Sequence, residues 1–509
     1  MNYYDRYKAA WVQQNEKIAF VIDDEPYTFT QLVNAIEYAS DSLRRRKIKA
    51  QERILILERD SIQVIAYFWA AIKNGITPIL LNYLATLDKN RQLINSCTHQ
   101  LLVIERSIME KLGDSVNGEQ IIADDVSVHN YISFSAWTDD CYDATDDDDL
   151  YGVCTSGSTG LPKIVLSKYP VIDSVLQSFA CGELRATNQD VLYSLSKMCY
   201  AYGLINGLIL GCTSMSKTIV YSSKPSIPSI LNAVEKYRPT FLFAVPTTYL
   251  AISQYVIENQ IPARVFDSIR TCYSAGENLS LGVIQLWEQA TNQFIINGYG
   301  TAEIAYILIA NTNRKRNSAF IGNALPGVDI KLDREGYEQE KEEIGELYVR
   351  SKSVASEYVG LLKETEEAFH DGWYKTNDIV VRRDDGLYYH SKKNRMFKIK
   401  GTWVAAEEIE QILLGSGLIK DACVVCYVDK FLINHIAAGV VTEGDMGVPE
   451  FLSLINTYID EHTEHYKRIA HLFLIDDMPL NANGKKDFKK IAELAHATFF
   501  ERREKRRDS

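Results

Sequence analysis

The densest chemistry in the chain lies in Thr155-Ser156-Gly157-Ser158-Thr159-Gly160-Leu161-Pro162-Lys163. Its hydroxyls supply donors, and its glycines let the backbone approach a ligand closely. Successive free N–H groups in such a turn form a concave anion site. The closing lysine adds a compact positive charge suited to phosphate. The stretch can therefore cradle a polyphosphate. A Ser/Thr/Gly run can also be a flexible linker. This one sits between two apolar runs, Leu150-Tyr151-Gly152-Val153-Cys154 and Ile164-Val165-Leu166, and ends on a proline-fixed lysine. It is not the ordinary phosphate loop, which needs Gly-x-x-x-x-Gly-Lys-Ser/Thr opening a helix.

Further candidates follow downstream. Ser274-Ala275-Gly276-Glu277 is a short turn. Asn297-Gly298-Tyr299-Gly300-Thr301-Ala302-Glu303 pairs a flat ring, able to stack on a base, with a carboxylate suited to a hard cation. Trp373-Tyr374-Lys375-Thr376-Asn377-Asp378 ends on a carboxylate that can accept two hydroxyls at once. Pro479-Leu480-Asn481-Ala482-Asn483-Gly484-Lys485 presents a lysine on a turn. Taken singly, each has a plainer reading. Glu303 could be a helix-start glutamate favoured by the dipole, and Asn-Gly-Lys is commonly only a turn.

In this order the motifs resemble those of the acyl-adenylate-forming superfamily, which comprises acyl-CoA synthetases, peptide-synthetase adenylation domains and luciferases. The resemblance runs from about Pro26 to Lys490. It implies that a carboxylic acid is activated by ATP to an acyl-adenylate and passed to a thiol. By the same resemblance, Thr155, Ser156, Gly157, Ser158, Thr159, Gly160 and Lys163 hold phosphates. Ala275, Gly276 and Glu277 border adenine, and Asn297, Gly298, Tyr299, Gly300, Thr301 and Ala302 line the nucleotide. Glu303 is expected to hold Mg²⁺, Asp378 and Lys392 to serve the ribose side, and Lys485 to bridge the reacting oxygens. Asn394 marks the hinge, and Lys398, Lys400 and Gly401 line a path for the thiol.

Several positions depart from the family pattern. Ala302 replaces a threonine, Asn377 a glycine, and Ser391, Lys392 and Asn394 the usual Gly, Arg and Asp of the hinge. Asparagine is the next best residue after glycine at positive φ, so the change at 377 is mild.

The acid pocket is expected at Tyr200, Tyr202, Gly203, Pro246, Thr247, Tyr299, Ala305 and Tyr306. The run Tyr200-Ala201-Tyr202-Gly203-Leu204-Ile205-Asn206-Gly207-Leu208 is most similar to benzoate-type aryl-CoA ligases, which favours a small aromatic acid with coenzyme A as acceptor. It lacks the aspartate that amino-acid-activating members use for an ammonium. The tyrosines could equally belong to the core. Two alternatives stay open: a fatty or polyketide-starter acid loaded onto a carrier protein's phosphopantetheine, and a nucleotide-binding protein with little catalysis.

The elements that must position these residues are legible in outline. A chain of 509 residues exceeds one compact core, so two or more domains are expected. Pro26 to Leu32 reads as a turn and helix cap with Thr30 as N-cap, and the helix runs to about Arg46. The strand Arg53-Ile54-Leu55-Ile56-Leu57 precedes a helix from about Ser61 to Asn74, stopped by Gly75, and then a strand through Pro78-Ile79-Leu80-Leu81. This alternation gives βαβ units and a mostly parallel α/β sheet. The resemblance implies a large N-terminal domain, residues 1–391, of αβα subdomains plus a small β-barrel near 330–391. A mobile α+β C-terminal domain, 392–509, would turn about a hinge at 392–394.

Composition bounds the rest. Apolar content of 46% and charged content of 24% are ordinary for a soluble globular protein. A net charge of −12 speaks against nucleic-acid binding. No apolar run is long enough to span a bilayer, and Met1-Asn2-Tyr3-Tyr4-Asp5-Arg6 lacks the pattern of a signal peptide. A cytoplasmic location is therefore expected, with nine scattered, reduced cysteines. Cys423 and Cys426 lie in a strand-like apolar run and read as core residues, not a metal pair. No motif encodes the oligomeric state; a homodimer is the alternative to a monomer.

Overall fold

The computed structural model describes residues 2–113, 116, 119–122, 141–155, 162–399, 402–428, 433–442, 447–480 and 486–504. The chain forms two compact units. The first comprises Met1–Lys331, Tyr348–Lys375 and Asp384–Leu387, and the second Leu332–Leu347, Thr376–Arg383 and Tyr388–Ser509.

The first unit holds two sheets. In one, Asp149–Cys154, Thr77–Leu80, Arg53–Leu57, Leu101–Ile104 and Glu119–Ile122 are neighbours in that order and run parallel. Thr77–Leu80 and Leu101–Ile104 are buried throughout, as strands covered on both faces must be. Ile164–Lys168 adds antiparallel to Asp149–Cys154, and Glu357–Tyr358 adds antiparallel to Ile164–Lys168. In the other sheet, Ile295–Gly300, Thr271–Ser274, Phe241–Ala244, Val191–Ser194, Lys217–Val220 and Ile18–Ile22 form a parallel series.

The helix Ile62–Lys73 follows the expected pattern. The Ser61 hydroxyl accepts the Val64 N–H, and the helix stops at Asn74 before Gly75, whose φ is +69°. The helix before it starts earlier than expected. It spans Phe29–Arg45, and its N-cap is Thr28, not Thr30. Thr28 and Gln31 form a reciprocal capping box, whereas the third residue after Thr30 is Val33, which can return no bond. The Thr30 hydroxyl bonds Asn15 Oδ1 at 2.6 Å instead.

A buried polar knot ties these helices together. Lys73 Nζ lies 2.6 Å from Glu37 Oε2, with both side chains fully enclosed. The Tyr4 hydroxyl donates to the same carboxylate at 2.5 Å, and Asn2 Nδ2 donates to the Ile72 carbonyl at 2.7 Å. The N-terminal helix Tyr3–Gln14 is thereby fixed to both neighbours.

The second unit is α+β. Ile419–Val428 and Asn434–Thr442 pair antiparallel, and His471–Leu474 joins parallel to Asn434–Thr442. Helices Ala406–Gly415 and Val448–His462 pack Ile409, Leu413, Ile455 and Ile459 into its core. Cys423 and Cys426 sit on the first of these strands and enter different apolar clusters. Residues three apart on a strand face opposite sides and cannot share a metal ion. No described helix is long and apolar enough to cross a membrane.

Glu37→Ala would strand the Lys73 ammonium in an apolar interior, and its expected cost is about 3–5 kcal/mol. The paired replacement Glu37→Leu/Lys73→Met is expected to restore most of that loss, read by urea denaturation of the three proteins.

Candidate active site

Four of the sequence motifs meet at one edge of the second sheet. Ser196–Gly203 follows the strand Val191–Ser194, Pro246 and Thr247 follow Phe241–Ala244, Ala275–Glu277 follow Thr271–Ser274, and Tyr299–Glu303 close and follow Ile295–Gly300. These strands are neighbours and parallel, so all four segments emerge at their carboxyl ends. Ligands bind in the crevice at that end of an open α/β sheet.

The stretch expected to hold phosphates lies between Cys154 and Ile164, which are partners in the antiparallel pair. Its neck is closed by the Thr155 N–H on the Lys163 carbonyl, 2.8 Å, and by the Lys163 N–H on Thr155 Oγ1, 3.3 Å. Ser156, Gly157, Ser158, Thr159 and Gly160 lie outside the described residues. The Lys163 ammonium stands 4.6 Å from the centroid of the Tyr358 ring.

The same ring reaches Glu303. The Tyr358 hydroxyl donates to Glu303 Oε1 at 2.9 Å, and the Ala355 N–H donates to the Glu303 carbonyl at 2.8 Å. Burial and the adjacent Glu303 carboxylate push the Tyr358 phenol well above its ordinary range, so it stays a donor. The donor set fits a hard divalent cation, since Glu303 keeps a second carboxylate oxygen while the phenol holds the first. No group of three or more His, Cys, Asp or Glu among the described residues could hold a metal alone.

Gly300 is required by close approach. A Cβ there would stand 2.3 Å from the Tyr306 carbonyl oxygen. Ala302 packs its methyl against the Val165–Ala355–Tyr358 cluster, and the Thr301 hydroxyl is buried with no partner among the described residues. Ala305 holds φ +63°, a conformation non-glycine residues rarely adopt.

The tyrosines expected at the acid pocket form one cluster. Tyr202 and Tyr306 stack with centroids 5.8 Å apart, and Phe179 packs edge-on to Tyr306 at 4.8 Å. The Tyr306 hydroxyl donates to Asn206 Oδ1, and the Tyr202 hydroxyl donates to the Tyr273 carbonyl at 2.9 Å. Tyr306 is buried, while Tyr202 is half-buried. Tyr200 accepts a bond from Asn82 Nδ2 at 3.1 Å. Pro246 is the buried first residue of the helix Pro246–Glu258, and Thr247 beside it is exposed. Ala201–Leu204 continues into a widened π-helical stretch, Ile205–Ile209, a distortion frequent at functional sites. Gly203 lets this helix start close to the preceding turn, since a Cβ there would lie 2.0 Å from the Lys197 carbonyl.

That turn is held by Asp60. Its buried carboxylate accepts the Met198 N–H at 3.0 Å, and Lys197 donates to the Ser223 carbonyl at 2.7 Å. Burial pushes the Asp60 carboxyl up to about 7, against the opposing pull of Lys197.

In the second unit, Asp378 is almost fully buried, and its Oδ1 lies 2.7 Å from Lys392 Nζ. Lysine thus keeps a charge partner where the family has arginine. Asn377 has φ +57°, the conformation its glycine counterpart implies. Asn394 lies in the short 3₁₀ turn Lys393–Arg395. Lys393 pairs with Glu346 at 2.7 Å, Arg395 with Glu410 at 2.6 Å, and the Ser391 hydroxyl donates to Glu407 at 2.6 Å. Lys398 is exposed, with its ammonium 4.9 Å from the Trp403 ring centroid. Lys400, Gly401 and Lys485 lie outside the described residues. On either side of Lys485, Leu480 bridges Lys486 and the Asp487 N–H donates to the Pro479 carbonyl at 2.8 Å.

Sequence reasoning missed Tyr358, Asn206 and Asp60. The run Glu357-Tyr358-Val359-Gly360 has no feature that separates a site phenol from a core one.

The model of a family described as AMP-binding enzyme matches residues 7–359. The chain is 27% identical over 484 residues to the 4-hydroxybenzoate–CoA/benzoate–CoA ligase of Rhodopseudomonas palustris, covering 92% of this chain and 89% of that one. It is 24% identical over 482 residues to the benzoate–CoA ligase of Thauera aromatica, covering 92% and 91%. Among solved structures, the anthranilate CoA ligase AuaEII in complex with anthranoyl-AMP shares the fold, with a TM-score of 0.84 at 22% identity over 97% of each chain.

Asp60 yields a pH test. Its native carboxyl holds a proton up to about 7, while the unfolded group releases it near 4. This contribution to stability is therefore fully present below about pH 4 and is lost as pH rises through about 7, by about 4 kcal/mol at most. Asp60→Asn is expected to flatten that part of the stability–pH curve, measured by denaturation between pH 4 and 8.

Proposed function

The chain belongs to the AMP-binding enzyme family, and on that premise we propose that it activates a small aromatic carboxylic acid and joins it to coenzyme A. The observation that carries this reading is the convergence of Lys163 and Glu303 on Tyr358. Lys163 and Glu303, far apart in sequence, both contact this one ring, which supports a phosphate role for the lysine and a cation role for the carboxylate.

The reaction has two halves. A carboxylate oxygen of the acid attacks the α-phosphorus of ATP, and the bond to the bridging oxygen breaks, releasing pyrophosphate. Lys163 and the loop hydroxyls hold the outer phosphates, Asp378 accepts the ribose hydroxyls, and Lys485 stabilises charge growing on the reacting oxygens. Mg²⁺ held with the nucleotide by Glu303 would neutralise charge on the departing pyrophosphate. The thiolate then attacks the acyl carbon, and AMP leaves with the bond electrons. For this half, the C-terminal domain turns about residues 392–394, Lys485 withdraws, and Lys398, Lys400 and Gly401 line the thiol's approach. Rate enhancement in both halves comes from positioning and electrostatics.

The stacked Tyr202 and Tyr306 rings favour an aromatic acid. The lack of an aspartate across Ser196–Leu208 disfavours an amino acid. The relatives' names, benzoate and hydroxybenzoate CoA ligases, support both the acid class and coenzyme A as acceptor.

Pyrophosphate–ATP exchange across aryl, short-chain, long-chain and amino acids tests the reading. Aryl acids are expected to support exchange that collapses in Lys485→Ala, and coenzyme A is expected to convert the best acid to its thioester. Exchange with fatty acids alone would overturn the substrate class, and thioester formed only on a carrier protein would overturn the acceptor. Asp378→Asn is expected to raise KM for ATP about tenfold through loss of charged hydrogen bonds, read in the same assay at saturating acid.

A further inference from the structure

We infer that Tyr358 is a positioning residue that sets Glu303 for the cation and Lys163 for the phosphates through one rigid side chain. The inference deepens the adenylation reading above and rests on it.

Tyr358 is held from three directions. Its backbone pairs with Val165 across the antiparallel ladder, which places its ring beside Lys163, two residues before Val165. Its N–H donates to the Thr365 hydroxyl at 3.0 Å, itself set on the helix Leu362–Ala368. Its ring packs against Ala302, Val165 and Ala355, with the Phe369 ring 5.2 Å away. The side chain is 6% exposed, so few rotamers are open to it.

From that fixed position the phenol acts at its two ends. The hydroxyl donates to Glu303 Oε1, which fixes the plane of the carboxylate and assigns Oε2 to any cation. The ring face attracts the Lys163 ammonium electrostatically, which holds the end of a flexible four-carbon chain over the same ring that bonds Glu303. The Ala355 N–H on the Glu303 carbonyl ties the backbone of the same turn to the Tyr358 segment. A strand of two residues, too short to add much to the sheet, thus spans both charged groups.

The two ends separate by mutation. Tyr358→Phe keeps the ring and loses the hydroxyl, and Tyr358→Leu loses both. Exchange activity and calorimetric ATP binding are each measured over a range of Mg²⁺ concentrations. Tyr358→Phe is expected to need about tenfold more Mg²⁺ for half-maximal ATP binding and exchange, the size of one charge-assisted hydrogen bond. At saturating Mg²⁺ its ATP affinity is expected to be near wild type. Tyr358→Leu is expected to lose ATP affinity as well, severalfold, at every Mg²⁺ concentration. In a Glu303→Ala background, Tyr358→Phe is expected to add no further shift. A lower melting temperature with an unchanged Mg²⁺ profile in both variants would overturn the inference in favour of a packing role. If the wild type binds Mg·ATP but exchanges with no acid, the adenylation reading falls while the binding titrations still decide Tyr358. If it binds no Mg·ATP, both fall.

Discussion

A parallel sheet has a polarity, and that polarity organises this molecule. Every strand in the series from Ile18–Ile22 to Ile295–Gly300 points the same way, so the segments leaving them must emerge together. Residues as distant in sequence as Tyr200 and Glu303 need no long-range contact of their own to reach the same edge of the sheet; backbone pairing brings them there. The antiparallel strand Ile164–Lys168 does the same for the other sheet, because it pairs with Asp149–Cys154 on one side and Glu357–Tyr358 on the other and so sets Lys163 beside Tyr358.

Stability and site geometry draw on different kinds of interaction. The sheets are held by apolar burial, and strands such as Phe241–Ala244 are enclosed on both faces. The segments around them are held by polar contacts: Asp60 on the turn at Met198, Asn206 on Tyr306, and Thr365 on Tyr358. A turn has few apolar contacts to fix it, and a satisfied hydrogen bond in a low-dielectric interior is directional where packing is not.

Much of this was legible in the sequence, and what was not has a common cause. Local signals read well: Ser61 and Gly75 bracket a helix, apolar runs mark the parallel strands, and Asn377 takes the positive φ its position implies. The cap at Thr28 was misread because a threonine also stands at 30, and only the partner three residues later distinguishes them. Tyr358 and Glu303 bond across 55 positions, and Glu37 and Lys73 across 36. Pairings of that kind depend on how elements pack, and a phenol in a strand or a glutamate on a helix looks the same with or without its partner. The motif residues stand out because their types suit a chemistry, whereas a phenol in a two-residue strand carries no such signal.

Ala305 limits how this protein can change. At φ +63°, buried between Ile304 and Tyr306, it sits where a β-branched or bulky side chain would clash with its own backbone. Drift at that position is confined to glycine, alanine and the few residues that tolerate a left-handed backbone. Variation around it must then come from its neighbours. Tyr306 and the widened helix at Ile205–Ile209 are free of that backbone restriction, so divergence among descendants of this chain should accumulate there first.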